Sequence, residues 1–322
     1  MSLESAEWSL LGMLTAFVVI GAATPLWMSR PSSIGRFART VGLPLDGDVE
    51  LERTIAARLR IRAGWGALGM VVAAGIGVLL VLNGALTAQH AWGATVSPVS
   101  GLVLAGLVLA GRGIGTAISI LPAPPEVQRH GARIARLPRP TVADYVAPIE
   151  RVGARIFVGF GGLLAVAAAI MPTPPETRLF IGVTAAAAIA ALAGAEWVSS
   201  ALVSRPQPAV SEQLLRWDDA LRAQTLRDLV SVPLMAGGIT VVASIFAIPD
   251  LPAFASTIGQ VVGSVITYAT LIALMVVAIV SIAMEPARYY LKRLWPAQYA
   301  ETKPPAYGSA AVAPPAPSPE GA

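Results

Sequence analysis

Apolar residues along this chain do not alternate with polar ones; they come in long blocks separated by charged or proline-rich intervals. Seven blocks stand out, at about 9–28, 64–87, 96–120, 155–171, 179–203, 230–248 and 254–284. Each approaches or exceeds the roughly 20 apolar residues a helix needs to cross about 30 Å of hydrocarbon. In hydrocarbon only helices and closed barrels satisfy the backbone, and barrel strands would be shorter and alternating. The pattern therefore predicts an all-α integral membrane protein, a bundle of seven transmembrane helices.

A different period runs between the blocks. In 48–62 (DVELERTIAARLRIR), Leu51, Ile55 and Leu59 share one helical face, Asp48 is placed to cap, and arginines crowd the end. In 141–155, Thr141 and Asp144 have the spacing of a capping box, Tyr145, Ile149 and Val152 share a face, and Pro148 should interrupt the helix. In 211–229, Ser211 is the cap, Leu214, Leu221 and Leu229 face one way, and Trp217 lies on the edge. The unit of amphipathic helix, ascending span, short turn and descending span thus recurs. It gives a first span (1–28) followed by three hairpin repeats, 29–120, 121–203 and 204–300. The remainder, 301–322, is rich in proline and small residues and reads as a disordered tail.

Charge orients the bundle. Glu4 and Glu7 precede the first block, where a cleaved signal would carry positive residues. The intervals 29–63, 121–154, 204–229 and 285–322 hold 21 of the 23 basic residues, counting Arg155 at the mouth of the fourth block. By the positive-inside rule these intervals are cytoplasmic and the N-terminus is outside. The same bias accounts for a net charge of +4 without a nucleic-acid partner, and suits the inner face to anionic lipid. Charged residues make up only 13% of the chain, against about a quarter in soluble domains. Arginine so far outnumbers lysine that a GC-rich bacterial genome, and hence the plasma membrane, is the expected setting.

Candidate chemistry is sparse. With no cysteine, thiolate metal sites and disulfides are excluded. Neither His90 nor His130 falls in a block, and both lysines, Lys292 and Lys303, follow the last one, which argues against bundle haem and against a Schiff base. No cofactor is expected. Asp218 and Asp219 read as a solvated helix face ahead of a metal site. Arg112, in LVLAGRGIGTAISILP, and Glu196 each stand ten residues before a proline, Pro122 and Pro206, which predicts equal depth and an intramembrane ion pair. Gln260, Ser264, Thr267 and Tyr268 form a polar stripe, read as interhelical hydrogen bonding ahead of a pathway, and Gly259 and Gly263 have close-packing spacing, within the chain or between copies.

Small-residue packing faces and short outer turns, with no reactive constellation, point to a non-catalytic scaffold or accessory subunit of a bacterial cell-envelope assembly. It would sit in the lipid bilayer and dock protein partners at its cytoplasmic face or Pro-rich tail. A small-solute or lipid transporter or channel is the alternative, and a lipid-modifying enzyme using Asp218, Asp219 or Glu196 comes third.

Overall fold

The computed structural model describes residues 5–28, 30–43, 49–83, 98–119, 140–171, 175–205, 207, 211–246, 261, 262, 265, 268 and 286–302. Among them there is no strand. The helices are α1 (Ser5–Met28), α2 (Pro31–Val41), α3 (Val49–Leu82), α4 (Pro98–Ile118), α5 (Val142–Tyr145), α6 (Pro148–Ile170), α7 (Pro175–Ser204), α8 (Glu212–Phe246), α9 (Tyr289–Leu294) and α10 (Pro296–Thr302), with a 3-10 turn at Pro286–Arg288 before α9. Five of these, α1, α3, α6, α7 and α8, are long and apolar enough to cross a membrane, and α4 contributes a shorter apolar stretch, Val103–Ile118. Their outward faces carry Leu68, Val72 and Leu79 on α3, Ile156 and Leu163 on α6, and Leu179 and Val183 on α7, all exposed. Apolar patches on this scale need a covering in water; a bilayer supplies it. The fold fits a helical, multi-pass membrane protein.

The amphipathic intervals and the spans are not separate helices everywhere. In α3 and α8 the amphipathic part continues into the apolar part without a break, in α8 even with Pro233 inside the helix. Arg62 therefore sits in the middle of α3, not at a helix end. Pro148 does interrupt the second interval: α5 stops at Tyr145 and α6 starts with Pro148 in its first turn, where proline's missing N–H is harmless. That break shifts the helical phase. Tyr145 is buried as expected, but Ile149 and Val152 point outward, to the same side as Ile156.

Helix directions follow from cross-contacts. Gly66 of α3 lies beside Thr116 of α4 and Gly77 beside Leu104, so the two are antiparallel. Arg155 of α6 meets Glu196 of α7, and Ala168 packs with Ile181, so this pair is antiparallel too. Helices α6 and α8 run parallel, with Phe157 beside Gly237 and Gly161 beside Thr240. Helix α8 is central. It packs on α4 at one side and on α6 and α7 at the other, and 61% of its most apolar stretch is buried, against 17–33% for the other four long helices.

Small residues make these crossings close. A side chain at Gly69 would run into the backbone of Gly111, and one at Gly115 into the Trp65 carbonyl. Gly113, on another face of α4, would meet the Asp228 carbonyl oxygen at 3.0 Å and Val232 at 2.8 Å on α8. The glycines of GRGIG thus seat α4 against two helices at once, the packing use of small residues expected in membranes. Gly259 and Gly263, to which the sequence assigned that role, lie outside the described residues, as do Asp48 and the 303–322 tail.

Candidate functional site

The four basic intervals converge. Ile34, Val41, Ile55, Leu59, Tyr145, Trp217, Leu226, Tyr290 and Leu291 form one buried cluster at a single end of the bundle. This charged end is built from α2, the first turns of α3, α5, the first half of α8, and α9. Local signals in the chain start its helices correctly. The Thr141 backbone N–H and hydroxyl both donate to Asp144 Oδ2 at 2.8 Å, and Ser211 Oγ accepts the Leu214 N–H at 3.2 Å.

Asp219 is the hub. It is fully buried, against the expectation of a solvated face. The Tyr145 hydroxyl and the Gln207 side-chain amide each donate to its Oδ1 at 2.8 Å, and the Trp295 indole donates to its Oδ2 at 3.0 Å. Asp218, next along, accepts from Arg58 at 3.3 Å and from Gln207 at 3.0 Å. The same segment was read with Trp217 on an edge; Trp217 is buried, with Phe37 of α2 at a ring-centroid distance of 6.4 Å. The reason for both departures is that the first two turns of α8 are enclosed by α2, α5 and α9, which lie far away in sequence.

Two further carboxylates join the frame. Asp228 of α8 accepts from Arg62 of α3 at 2.6 Å, from the Thr116 hydroxyl of α4 at 3.3 Å, and from Gln224 at 3.1 Å. Glu150 of α6 takes Arg227 of α8 at 2.9 Å. The chain's last described segment is fastened by its own donors: Arg288 reaches the Arg39 carbonyl at 2.9 Å, and the Tyr290 hydroxyl reaches the Val41 carbonyl at 3.0 Å. These are end-of-helix carbonyls of α2, which ends on Gly42 with φ 75° and leaves such acceptors without intrahelical partners. Burial pushes the Tyr290 phenol well above its ordinary pKa, and the nearby Asp219 charge adds to this. Burial also pushes the Asp144 carboxyl up, but the Thr141 hydrogen bonds and the Arg293 guanidinium at 3.3 Å outweigh it and leave the group below its ordinary value.

The structure does not bring Arg112 and Glu196 together. Helix α4 packs on α1, α3 and α8, whereas α7 packs on α6 and α8, so the central helix stands between the two charges. Glu196 instead pairs with Arg155, Oε1 to Nη2 at 2.7 Å, with both side chains about half exposed. Arg112 is exposed, its stem against Gly66, without an ion pair among the described residues. Of the polar stripe only Tyr268 is described, helical and exposed; Gln260, Ser264 and Thr267 lie outside the described residues. No cluster of metal-ligating side chains occurs among the described residues.

Beside the Arg155–Glu196 pair, α6, α7 and α8 leave a cavity of about 210 Å³. Its wall includes Arg151, Ser199, Ser200 and Leu192, with Val142 at its edge. The Ser199 hydroxyl is buried and has no hydrogen-bond partner among the described residues. Compared with protein-family models, with curated proteins and with solved structures, this chain finds no match.

Proposed function

We propose that this chain is a non-catalytic membrane scaffold or accessory subunit of a bacterial cell-envelope assembly, presenting its charged end to cytoplasmic partners. One observation carries the reading: four acidic groups of that end are engaged as internal fasteners. Asp218, Asp219, Asp228 and Glu150 each hold donors from other segments, so the described parts of the intervals between spans form a fixed platform. Glu196, the remaining carboxylate of the enzymatic reading, is likewise engaged.

A seven-span topology with the N-terminus outside agrees with the helix directions. Helices α3, α6 and α8 leave the charged end, and α4 and α7 return to it. Residues 286–302 again pack at that end, as a further descending span between them and α8 would require. The absence of cysteine makes labelling clean: Ala91→Cys should react with an impermeant maleimide from outside, and Arg53→Cys only after permeabilisation.

Photo-crosslinkers placed at Arg53 and Arg60, both exposed on the charged end, should capture a defined protein partner in cells, while the purified chain in liposomes moves no solute. Solute flux that depends on the chain, together with an empty crosslinking result, overturns the scaffold reading in favour of transport.

A further inference from the structure

We propose that the cleft between α6, α7 and α8 binds the phosphate headgroup of an anionic membrane lipid. The reading is independent of the scaffold role and requires only that these helices sit in a bilayer.

Three features converge. The first is charge. Arg151 and Arg155 both line the cavity and Glu196 is the acid among its lining residues, so the site is net positive. Glu196 is held by Arg155 through both Nε at 2.8 Å and Nη2 at 2.7 Å. Arg151, half-buried, has no hydrogen bond or ion pair for its guanidinium among the described residues. Such a group is a fork of donors without an acceptor, and phosphate oxygens match it.

The second is the Ser199 hydroxyl. It belongs to the cavity wall, is almost completely buried, and has no hydrogen-bond partner among the described residues. Buried polar groups in native proteins nearly always have partners, so this one calls for an acceptor or donor from outside the chain. A phosphate oxygen in the cavity would supply it.

The third is position. Val152 and Ile156 adjoin the lining residues Arg151 and Arg155 along α6, and Trp197 adjoins Glu196 along α7; all three are strongly exposed apolar side chains. Acyl chains would lie against these, and tryptophan is favoured at headgroup depth. A volume of 210 Å³ is below the roughly 300–1,000 Å³ of sites that enclose a whole drug-sized ligand. It suits a headgroup whose tails remain in the bilayer.

The test uses the full chain purified in mixed micelles of phosphatidylglycerol and phosphatidylcholine, with retained lipid read by native mass spectrometry. Wild type should keep phosphatidylglycerol in preference to phosphatidylcholine. Arg151→Gln should lower that retention about tenfold, the loss of one charge-assisted contact. Arg151→Lys should restore part of it, and Arg53→Gln, exposed on the charged end, should leave it unchanged. Ser199→Ala separates ligand binding from mere packing: in lipid-free detergent it should be no less stable than wild type, because it removes an unpartnered hydroxyl, yet its phosphatidylglycerol retention should fall. Equal retention by wild type and Arg151→Gln, or equal retention of both lipids by wild type, overturns the proposal. Displacement of phosphatidylglycerol by millimolar inorganic phosphate overturns the lipid as the source and assigns the cleft to free phosphate.

Discussion

Hairpin α3–α4 closes backbone to backbone on glycine, with Gly69 against Gly111 and Gly115 against Trp65. Helices α6 and α7 form a pair with the same antiparallel layout but meet across a half-exposed ion pair, and they leave a cavity where they lean on α8. The glycines of α6 show the difference. Gly159 and Gly162 have nothing within 4 Å of where a side chain would start, and Gly161 alone of that triplet approaches α8. One seam is specified by the absence of side chains and the other by two charges. A backbone seam has no rotamers with which to adapt; a charged, partly open one can accept another molecule. That is why structural weight falls on the first hairpin and ligand capacity on the second.

The largest expected effect breaks the first seam. Gly69→Val drives a branched side chain into the Gly111 backbone, which cannot move aside as a flexible side chain would. Overpacking of this kind costs on the order of 3 kcal/mol, and most of the protein should be lost as aggregate in size-exclusion chromatography. Gly159→Ala on the second hairpin, a change into open space, should leave the elution profile and the thermal midpoint no lower than wild type. If both variants behave alike, the contrast between the seams fails.

A second prediction uses two ion pairs of nearly equal length. Arg62–Asp228, where the first seam meets α8, is 2.6 Å long with side chains 10% and 24% exposed; Arg155–Glu196 is 2.7 Å long with 53% and 51%. Distance alone would rank them equal, and burial separates them. Asp228→Ala strands the Arg62 guanidinium in a nearly closed site and should cost about 3–5 kcal/mol in detergent-denaturation measurements. Asp228→Asn retains a hydrogen-bond acceptor and should lose less.

How far these features could be read from the sequence depends on the range of the forces behind them. Five long apolar helices were legible because hydrocarbon demands long apolar runs, and the Leu51–Ile55–Leu59 face, the Thr141 and Ser211 caps and the Pro148 break were legible because each is settled within a few residues. Burial of Asp219 was not, because its donors Tyr145, Gln207 and Trp295 come from three separated segments. Equal spacing of Arg112 and Glu196 from a proline suggested matching depth but carried no information about which helices are neighbours. Arg155 stood in the sequence at the start of α6, directly across the hairpin from Glu196; the adjacency of sequential antiparallel helices was the available signal.

A smaller effect concerns α5, whose Val142 lines the cavity and whose first turn is held by Asp144. The Asp144 pKa is lower in the folded protein than its ordinary value of 3.8. Its contribution is therefore complete above that ordinary value and is lost as the pH falls through the lower, folded one. Asp144→Ala should cost about 1 kcal/mol at neutral pH, the usual scale for a lost helix cap. The difference between variant and wild type should vanish in acid. A difference that persists unchanged at pH values below the folded pKa would show that Asp144 acts by packing and not by charge.

The smallest stability change belongs to Glu196→Gln. Both partners are half in contact with their surroundings, so removing the charge should alter the thermal midpoint by no more than about 1 kcal/mol allows, the range of exposed pairs. Its consequence for the cleft should be larger than its consequence for the fold. Without the glutamate charge, Arg155 joins Arg151 as a cation free to meet an acceptor, and phosphatidylglycerol retention should rise above wild type in the same micelles. A variant that loses several kcal/mol would instead make the pair a structural fastener equal to Arg62–Asp228, and the two hairpins would then differ in geometry but not in how they are held. Near-neutral stability combined with tighter lipid retention would place the Arg155–Glu196 pair as the element that limits how strongly the second hairpin holds its ligand.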